Sequence, residues 1–288
     1  MASKLDSEPS ESVRGGVSTA KDAVVDRLAG TPLANAARRS GLTGTLSDVA
    51  NRAAAVFLPD EVVFRAGDDE ARFRVSTRFE YRGFAKYRSD PDATVLAAFV
   101  RSLRDDDVVW DVGANVGVFS VLAAGRLPPE RVVAIEPHPE NVDRLRENLD
   151  RNGRDATVRR LALDDERGRA ELGVSSPDGT GAFGVVGGPT ERRRIAVRTD
   201  RGDSLVADGV PAPTVLKVDV QGAELGVLRG LEHTLLDCRV VYVNVYEKHF
   251  TRGDEGEEIR DVLESSGLRV ERLVEWDGGH FLRAVRES

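Results

Sequence analysis

The stretch "VVWDVGANVGVFS", from Val108 to Ser120, is a strand, a turn and a helix in immediate succession. Val108, Val109 and Trp110 form an unbroken β-branched and aromatic run, the pattern of a buried strand. From Val116 to Ala124 apolar and small residues crowd together as in a buried helix. A strand apolar on both faces needs a cover above and below, which a chain of alternating strands and helices supplies by building a parallel sheet. The alternation continues. "RVVAIEP" reads as a second strand before a helix over Pro139 to Leu149, and "ATVRRLAL" as a third strand. "PTVLKVDV" reads as a fourth before a helix over Ala223 to Leu231, and "CRVVYVNVY" as a fifth before a helix over Glu257 to Ser265. "LRVERLVEW", the turn "DGG" and "HFLRAVR" close the chain as an antiparallel hairpin. The predicted class is α/β, a mostly parallel sheet with a C-terminal antiparallel hairpin and helices on both faces.

The flanking segments are less regular. "EVVFRAGDDEARFRVS" alternates on both sides of "AGDDEA" and predicts a β-hairpin. Asp90 or Asp92 is placed to cap a helix ending near Leu103. Between Asp164 and Asp203 the rhythm breaks into strand-like pieces, "RAELGV" and "RRIAVRT", around the glycine-rich "DGTGAFGVVGG". The expected division is an N-terminal extension over 1–58, disordered at its start and then helical, and a domain over 59–288 that opens with the hairpin. The start of the chain lacks the apolar centre of a secretory signal, and no run is long enough to span a bilayer, so a cytoplasmic protein without membrane insertion is expected. A single cysteine, Cys238, leaves no intramolecular disulfide and no thiolate metal cluster, and no His or carboxylate set has metal-ligand spacing. The net charge of −8 argues against a nucleic-acid partner, which needs cationic surface facing phosphates.

The turn after the first strand carries Gly113 and Gly117, where missing side chains let a ligand approach backbone N–H groups at a helix start. Ligands of open α/β sheets sit beyond the carboxyl ends of the strands, and four acids fall at such ends: Asp111, Glu136, Asp164 and Asp219. Glu136 follows the turn at the spacing of an acid that binds ribose hydroxyls. A nicotinamide dinucleotide would use that acid too. Yet Gly113-Ala-Asn-Val-Gly117 is not the G-x-G-x-x-G cradle, and Asp111 would repel a pyrophosphate. An acid at that point suits a ligand with an ammonium group, such as S-adenosylmethionine.

Four segments in order, "DVGANVGVFS", "IEPHPENVDRLRENL", "LALDDERGRAEL" and "LKVDVQGAELGVLRG", resemble the FkbM-type methyltransferases of the class I, Rossmann-like, S-adenosylmethionine-dependent enzymes. The resemblance covers about Thr94 to Arg283. It implies methylation of an oxygen atom, on a sugar, glycan, lipid or secondary metabolite. It also implies a cofactor site of Asp111, Gly113, Asn115 and Gly117, with Glu136 on the ribose, Pro137 and His138 beside the adenine, and Asp164 at its amino edge. Asp219 would lie near the amino-acid end of the cofactor and the transferred methyl. Gln221 stands where the family usually shows Glu, and Asn244 and Tyr246 replace its acid-x-His ending.

Methyl transfer to a hydroxyl needs in-line positioning and gains from a base within reach of the proton. Asp219, Glu224, Tyr246 and His249 are the candidates by location. The acceptor pocket is expected beyond Asp219 and Asn244, with the glycine-rich segment as its cover. "DVQGAE" has neither the prolines nor the aromatic of a platform for a flipped base, so a small or glycan-like acceptor is expected rather than nucleic acid. Two other classes stay open on these residues: a non-catalytic binder of the same cofactor, given the three departures, and a nicotinamide oxidoreductase. Several residues also have purely structural readings: Lys217 snorkelling from its strand, Glu224 complementing a helix dipole, His138 and His280 on the surface.

Overall fold

Residues 59–66, 69–76, 78–89, 91–174, 183–185, 193–246, 255–276 and 278–287 are described by the computed structural model. The N-terminal extension, His249 and most of the glycine-rich segment lie outside the described residues. The run around Trp110 forms strand β3 (Val109–Val112), buried at all four positions. Counting along the chain, β1 (Glu61–Ala66) and β2 (Asp69–Arg74) precede it, with helices α1 (Arg78–Ala85) and α2 (Asp92–Ser102) between. After β3 come α3 (Val118–Ala123), β4 (Val132–Ile135), α4 (Pro139–Arg151) and β5 (Thr157–Arg159). The middle of the chain gives β6 (Ala162–Leu163), β7 (Gly168–Val174), β8 (Phe183–Val185), β9 (Arg193–Asp200) and α5 (Gly202–Ala207). The last part gives β10 (Val215–Val218), α6 (Glu224–Arg229), β11 (Val240–Val245), α7 (Glu255–Ser265), β12 (Arg269–Trp276) and β13 (Gly279–Val285).

The main sheet has seven strands in the order β12-β13-β11-β10-β3-β4-β5. The five from β11 to β5 run parallel, and the closing hairpin adds to β11 in antiparallel sense. The chain winds outward from β3 through β4 to β5, then returns to lay β10 on the other side of β3. The winding therefore reverses between β3 and β10, and the crevice beyond their carboxyl ends is where an open sheet of this kind holds a ligand. Alternate strand residues feed two apolar layers. Val109 joins Phe99, Phe119 and Leu145 on one face, and Trp110 joins Leu216, Leu228 and Ile259 on the other.

Several local expectations need correction. "ATVRRLAL" is not one strand: β5 ends the main sheet, whereas β6 pairs with β9 in a second, four-stranded sheet of order β6-β9-β7-β8. Of the two cap candidates Asp90 lies outside the described residues, and Asp92 does not cap α2; it is the first helical residue, its carboxylate lies 3.3 Å from Lys86 Nζ, and Pro91 holds the cap position. Helix α4 buries Asn141, Val142, Leu145, Asn148 and Leu149. Its Asn148 and the Asn152 at its C-terminal cap bond the backbone of β2, accepting from Arg74 N at 3.1 Å and Arg72 N at 2.8 Å. The hairpin is thereby fastened over the sheet, and Phe64 and Phe73 pack on Phe84 of α1.

Candidate functional site

Two cavities open at the carboxyl ends of β3 and β10, with about 640 and 810 Å³ of empty space including their open mouths. They share Gly113, Asn115, Asp219 and Gln221. The first continues between α3 and the N-terminal helices, past Phe84, Lys86, Tyr87 and Phe119. The second runs under the second sheet, past Glu136, Pro137, Leu161, Leu163, Asp164 and Leu172.

The junction is built by backbone that few residues adopt. Gly113 has φ +72°, and a Cβ there would lie 2.0 Å from the Asp219 carbonyl oxygen, so only glycine lets the β3 turn close on the end of β10. Asn115 and Gln221 have φ of 52° and 59°, the two non-glycine residues in the left-handed region among those described. Such backbone costs about 1–3 kcal/mol, and both instances border the cavities.

Asp111, expected to meet the ligand's ammonium group, is committed to partners within the protein. It is fully buried, lines neither cavity, and its Oδ2 accepts hydrogen bonds from Ser120 N at 3.0 Å and Ser120 Oγ at 2.6 Å. Its Oδ1 lies 3.0 Å from Lys217 Nζ. Lys217 does not snorkel either: it is buried directly opposite Asp111 in the β3–β10 register and donates to Gly113 O at 2.9 Å. Burial opposes its charge, but Asp111, Asp219 and Tyr87 outweigh that and raise its pKa. The pair thus clamps the glycine turn from beneath.

Glu136 stands at the end of β4 and lines the second cavity. Its carboxylate accepts from Asn115 N at 2.9 Å, His138 N at 3.0 Å and Asn141 Nδ2 at 3.2 Å, while burial pushes its pKa up. These bonds fix the carboxylate and leave oxygen lone pairs for ligand hydroxyls. Pro137 lines the same cavity. His138 does not line it; with 1% exposure it is no surface residue, and His280 is buried too. Asp164 also lines the second cavity, and burial raises its pKa. Gly226 of α6 and Gly230 at its C-terminal cap allow this approach, since a Cβ on either would meet Asp164 at 2.4 or 2.2 Å. Gly117, at φ +90°, clears Leu145 rather than lining a cavity.

Asp219 borders both cavities. Its Oδ1 accepts from Tyr246 OH at 3.0 Å and Asn244 Nδ2 at 3.2 Å, so the two departures from the family ending form one network on that oxygen. Burial and the Asp219 charge push Tyr246 well above the usual phenol range, which keeps it a proton donor. Glu224 is fully buried and lines neither cavity. It accepts from Val220 N at 3.3 Å and Gly222 N at 2.9 Å, holding the turn that carries Gln221, and burial raises its pKa to about 7. Glu224 thus fixes the turn that carries Gln221 to the edge of both cavities.

Sequence reasoning missed Lys86 and Tyr87, and the one available signal was that the hairpin and the main sheet must be joined by something packed on both. It also missed the β7 and β9 residues Leu172 and Val197 that wall the second cavity. Among the described residues one trio, Asp203, Glu232 and His233, has the spacing for a metal. Arg201 lies 3.5 Å from both carboxylates, and Thr234 donates to Asp203 through N and Oγ at 2.9 and 2.7 Å, so these acids are already paired.

The donor set fits an adenosine-linked amino acid. An apolar slot with a hydroxyl-binding acid suits a nucleoside, and the adjoining cavity with Asp219 and Lys86 suits a charged tail. The family description "Methyltransferase FkbM domain" matches residues 111–270. The hexuronic acid methyltransferase AglP of Haloferax volcanii is 33% identical over 177 residues, 61% of this chain and 70% of that protein. The 31-O-demethyl-FK506 methyltransferase FkbM of Streptomyces tacrolimicus is 30% identical over 198 residues, 58% of this chain and 75% of that protein. The crystal structure of methyltransferase FkbM from Methylobacillus flagellatus superposes with a TM-score of 0.44 at 19% identity, over 64% of this chain and 45% of that one.

Proposed function

The chain belongs to the FkbM methyltransferase domain family, and we propose that it methylates a hydroxyl oxygen of a sugar, glycan, lipid or secondary metabolite. Its cofactor, S-adenosylmethionine, supplies a methyl group already activated on a sulfonium. The protein's own task is to align the acceptor oxygen with that methyl, at about 3–3.5 Å between reacting atoms, and to receive the hydroxyl proton. The observation that carries the reading is Asp219 at the junction of the two cavities, with one oxygen held by Asn244 and Tyr246.

Asp219 is the group proposed to orient and deprotonate the acceptor. Its Oδ2 carries no hydrogen bond among the described residues, so it is open to a hydroxyl. Tyr246 and Asn244 fix the carboxylate and line up the acceptor beyond it. His249 remains a proposal from sequence position alone. Glu136, Pro137 and Asp164 are read as the nucleoside site, and Gly113, Asn115 and Asp219 as the passage to the reacting end. Residues 59–288 are read as the catalytic unit.

A hydroxyl-bearing small molecule or glycan agrees with the relatives, one acting on a hexuronic acid and the other on 31-O-demethyl-FK506. A nucleic-acid acceptor fits poorly with a net charge of −8 and with the missing aromatic platform at "DVQGAE". No helix among the described residues is long and apolar enough to cross a membrane. The test is incubation with methyl-labelled cofactor and separated glycan, lipid, metabolite and oligonucleotide fractions. Label should enter a hydroxyl-bearing fraction as a base-stable ether. Label confined to oligonucleotides, or released by mild base as a methyl ester, would overturn the reading.

A further inference from the structure

The first cavity is walled on one side by residues that precede the family-matched segment, and one of them is a cation. Lys86 begins the short 3-10 turn over Lys86–Arg88 after α1. Its Nζ lies 3.3 Å from Asp92 Oδ1 and 4.8 Å from the centre of the Tyr87 ring. The side chain keeps 41% exposure, so it is held at the cavity wall without being closed off. An ammonium with three donors and, among the described residues, a single carboxylate partner has capacity for another anion.

The charges around this cavity divide into closed pairs and an open set. Lys217 and Asp111 are paired at 3.0 Å and buried, and Glu80 is paired with Arg144 at 3.0 Å. Lys86 and Asp219 remain on the wall, and Asp92 adjoins through its partly exposed pair with Lys86, two negative charges and one positive. The charged tail of the cofactor is the inverse, with a sulfonium and an ammonium positive and a carboxylate negative. Asp219 complements the positive groups, which leaves Lys86 as the counter-charge for the anion.

We infer that Lys86 binds the α-carboxylate of the cofactor's methionyl moiety, making the 3-10 turn after α1 part of the cofactor site. Helix α1 sets the position of this turn. Phe84 anchors the helix on Phe64 and Phe73 of the hairpin, with ring centres 6.0 and 5.4 Å apart. Tyr87 meets Phe64 at 5.8 Å and Phe119 at 6.0 Å, so the turn bridges the hairpin and the helix that follows the glycine loop. The hairpin thereby serves as the support that aims a cation at the amino-acid end of the ligand.

The inference rests on the cofactor assignment, and the experiment separates the two. S-adenosylhomocysteine carries the amino-acid tail, whereas 5′-methylthioadenosine keeps the nucleoside and lacks it. Calorimetry on the full chain and on Lys86→Met and Lys86→Arg gives the affinity of each ligand. Lys86→Met should weaken S-adenosylhomocysteine about tenfold or more, the loss expected for a charge-assisted hydrogen bond. It should leave methylthioadenosine within about twofold, and Lys86→Arg should restore most of the loss. Equal weakening of both ligands would assign the effect to damage of the fold and overturn the inference. Unchanged S-adenosylhomocysteine affinity with a raised acceptor KM would move the cation to the acceptor and overturn it as well. Failure of the unaltered protein to bind S-adenosylhomocysteine at all would instead sink the cofactor assignment.

Discussion

Replacing Lys217 by Met tests whether a buried ion pair, rather than the glycine loop alone, sets the shape of the site. Lys217 is 3% exposed and Asp111 fully buried, with Nζ 3.0 Å from Oδ1. The same ammonium donates to Gly113 O at 2.9 Å and lies 5.2 Å from the centre of the Phe119 ring. Methionine fills similar volume but removes the charge, leaving the Asp111 carboxylate with Ser120 as its remaining donor. Breaking one side of a buried pair in this way costs about 3–5 kcal/mol. For a folded unit of this size that is a fall in Tm of roughly 6–20 °C. Converting both partners, as Lys217→Met with Asp111→Leu, should regain much of the stability because no charge is then stranded. Binding should stay weak in the double variant, since the Gly113 carbonyl has lost its donor. Thermal unfolding and calorimetry with S-adenosylhomocysteine measure the two effects separately. A single variant that loses less than about 1 kcal/mol, or a double variant no more stable than the single, would refute the reasoning.

Glu224 should show itself through pH. Burial raises its pKa from 4.5 to about 7, so its protonated form favours the folded state. The stabilisation is complete below the unfolded value and is lost as pH rises through about 7. Glu224→Gln should therefore flatten the pH dependence of urea-measured stability across this window by at most about 3 kcal/mol, and an unchanged slope would count against it. Asp219→Ala should lower kcat at least about a hundredfold, the scale of a lost positioned base, with a much smaller effect from Glu224→Gln. Comparable losses in single-turnover assays would dissolve that distinction. Tyr246→Phe should raise acceptor KM severalfold while cofactor Kd moves less than about twofold; the reverse pattern would put Tyr246 on the cofactor.

What could be read from the residues alone follows their physics. Buried parallel strands need continuous apolar runs, so β3, β4, β10 and β11 announce themselves. Gly113 was legible because a tight turn restricts residue type, and the place of Glu136 at the cavity rim because it ends a buried parallel strand. The Asp111–Lys217 pair was not legible, since the partners are far apart in sequence and meet only when β10 is laid in register beside β3. Nor was α1, where Gly83 weakens intrinsic helicity and packing against the hairpin supplies what propensity lacks. That omission concealed Lys86 and Tyr87, and with them one wall of the first cavity. The split of "ATVRRLAL" was hidden because Arg159 and Arg160 continue a strand-like run while the chain passes to another sheet.

The most direct test of the central claim, that the β3 turn with Glu136 forms an S-adenosylmethionine site, is one set of calorimetric titrations. S-adenosylhomocysteine and NAD are titrated into the unaltered protein and into Glu136→Gln. The site described here predicts saturable binding of S-adenosylhomocysteine, no measurable heat with NAD, and at least about tenfold weaker binding by the variant, the worth of hydrogen bonds to a charged acceptor. NAD binding as tight as S-adenosylhomocysteine, or a Glu136→Gln variant that binds as well as the parent, would contradict it.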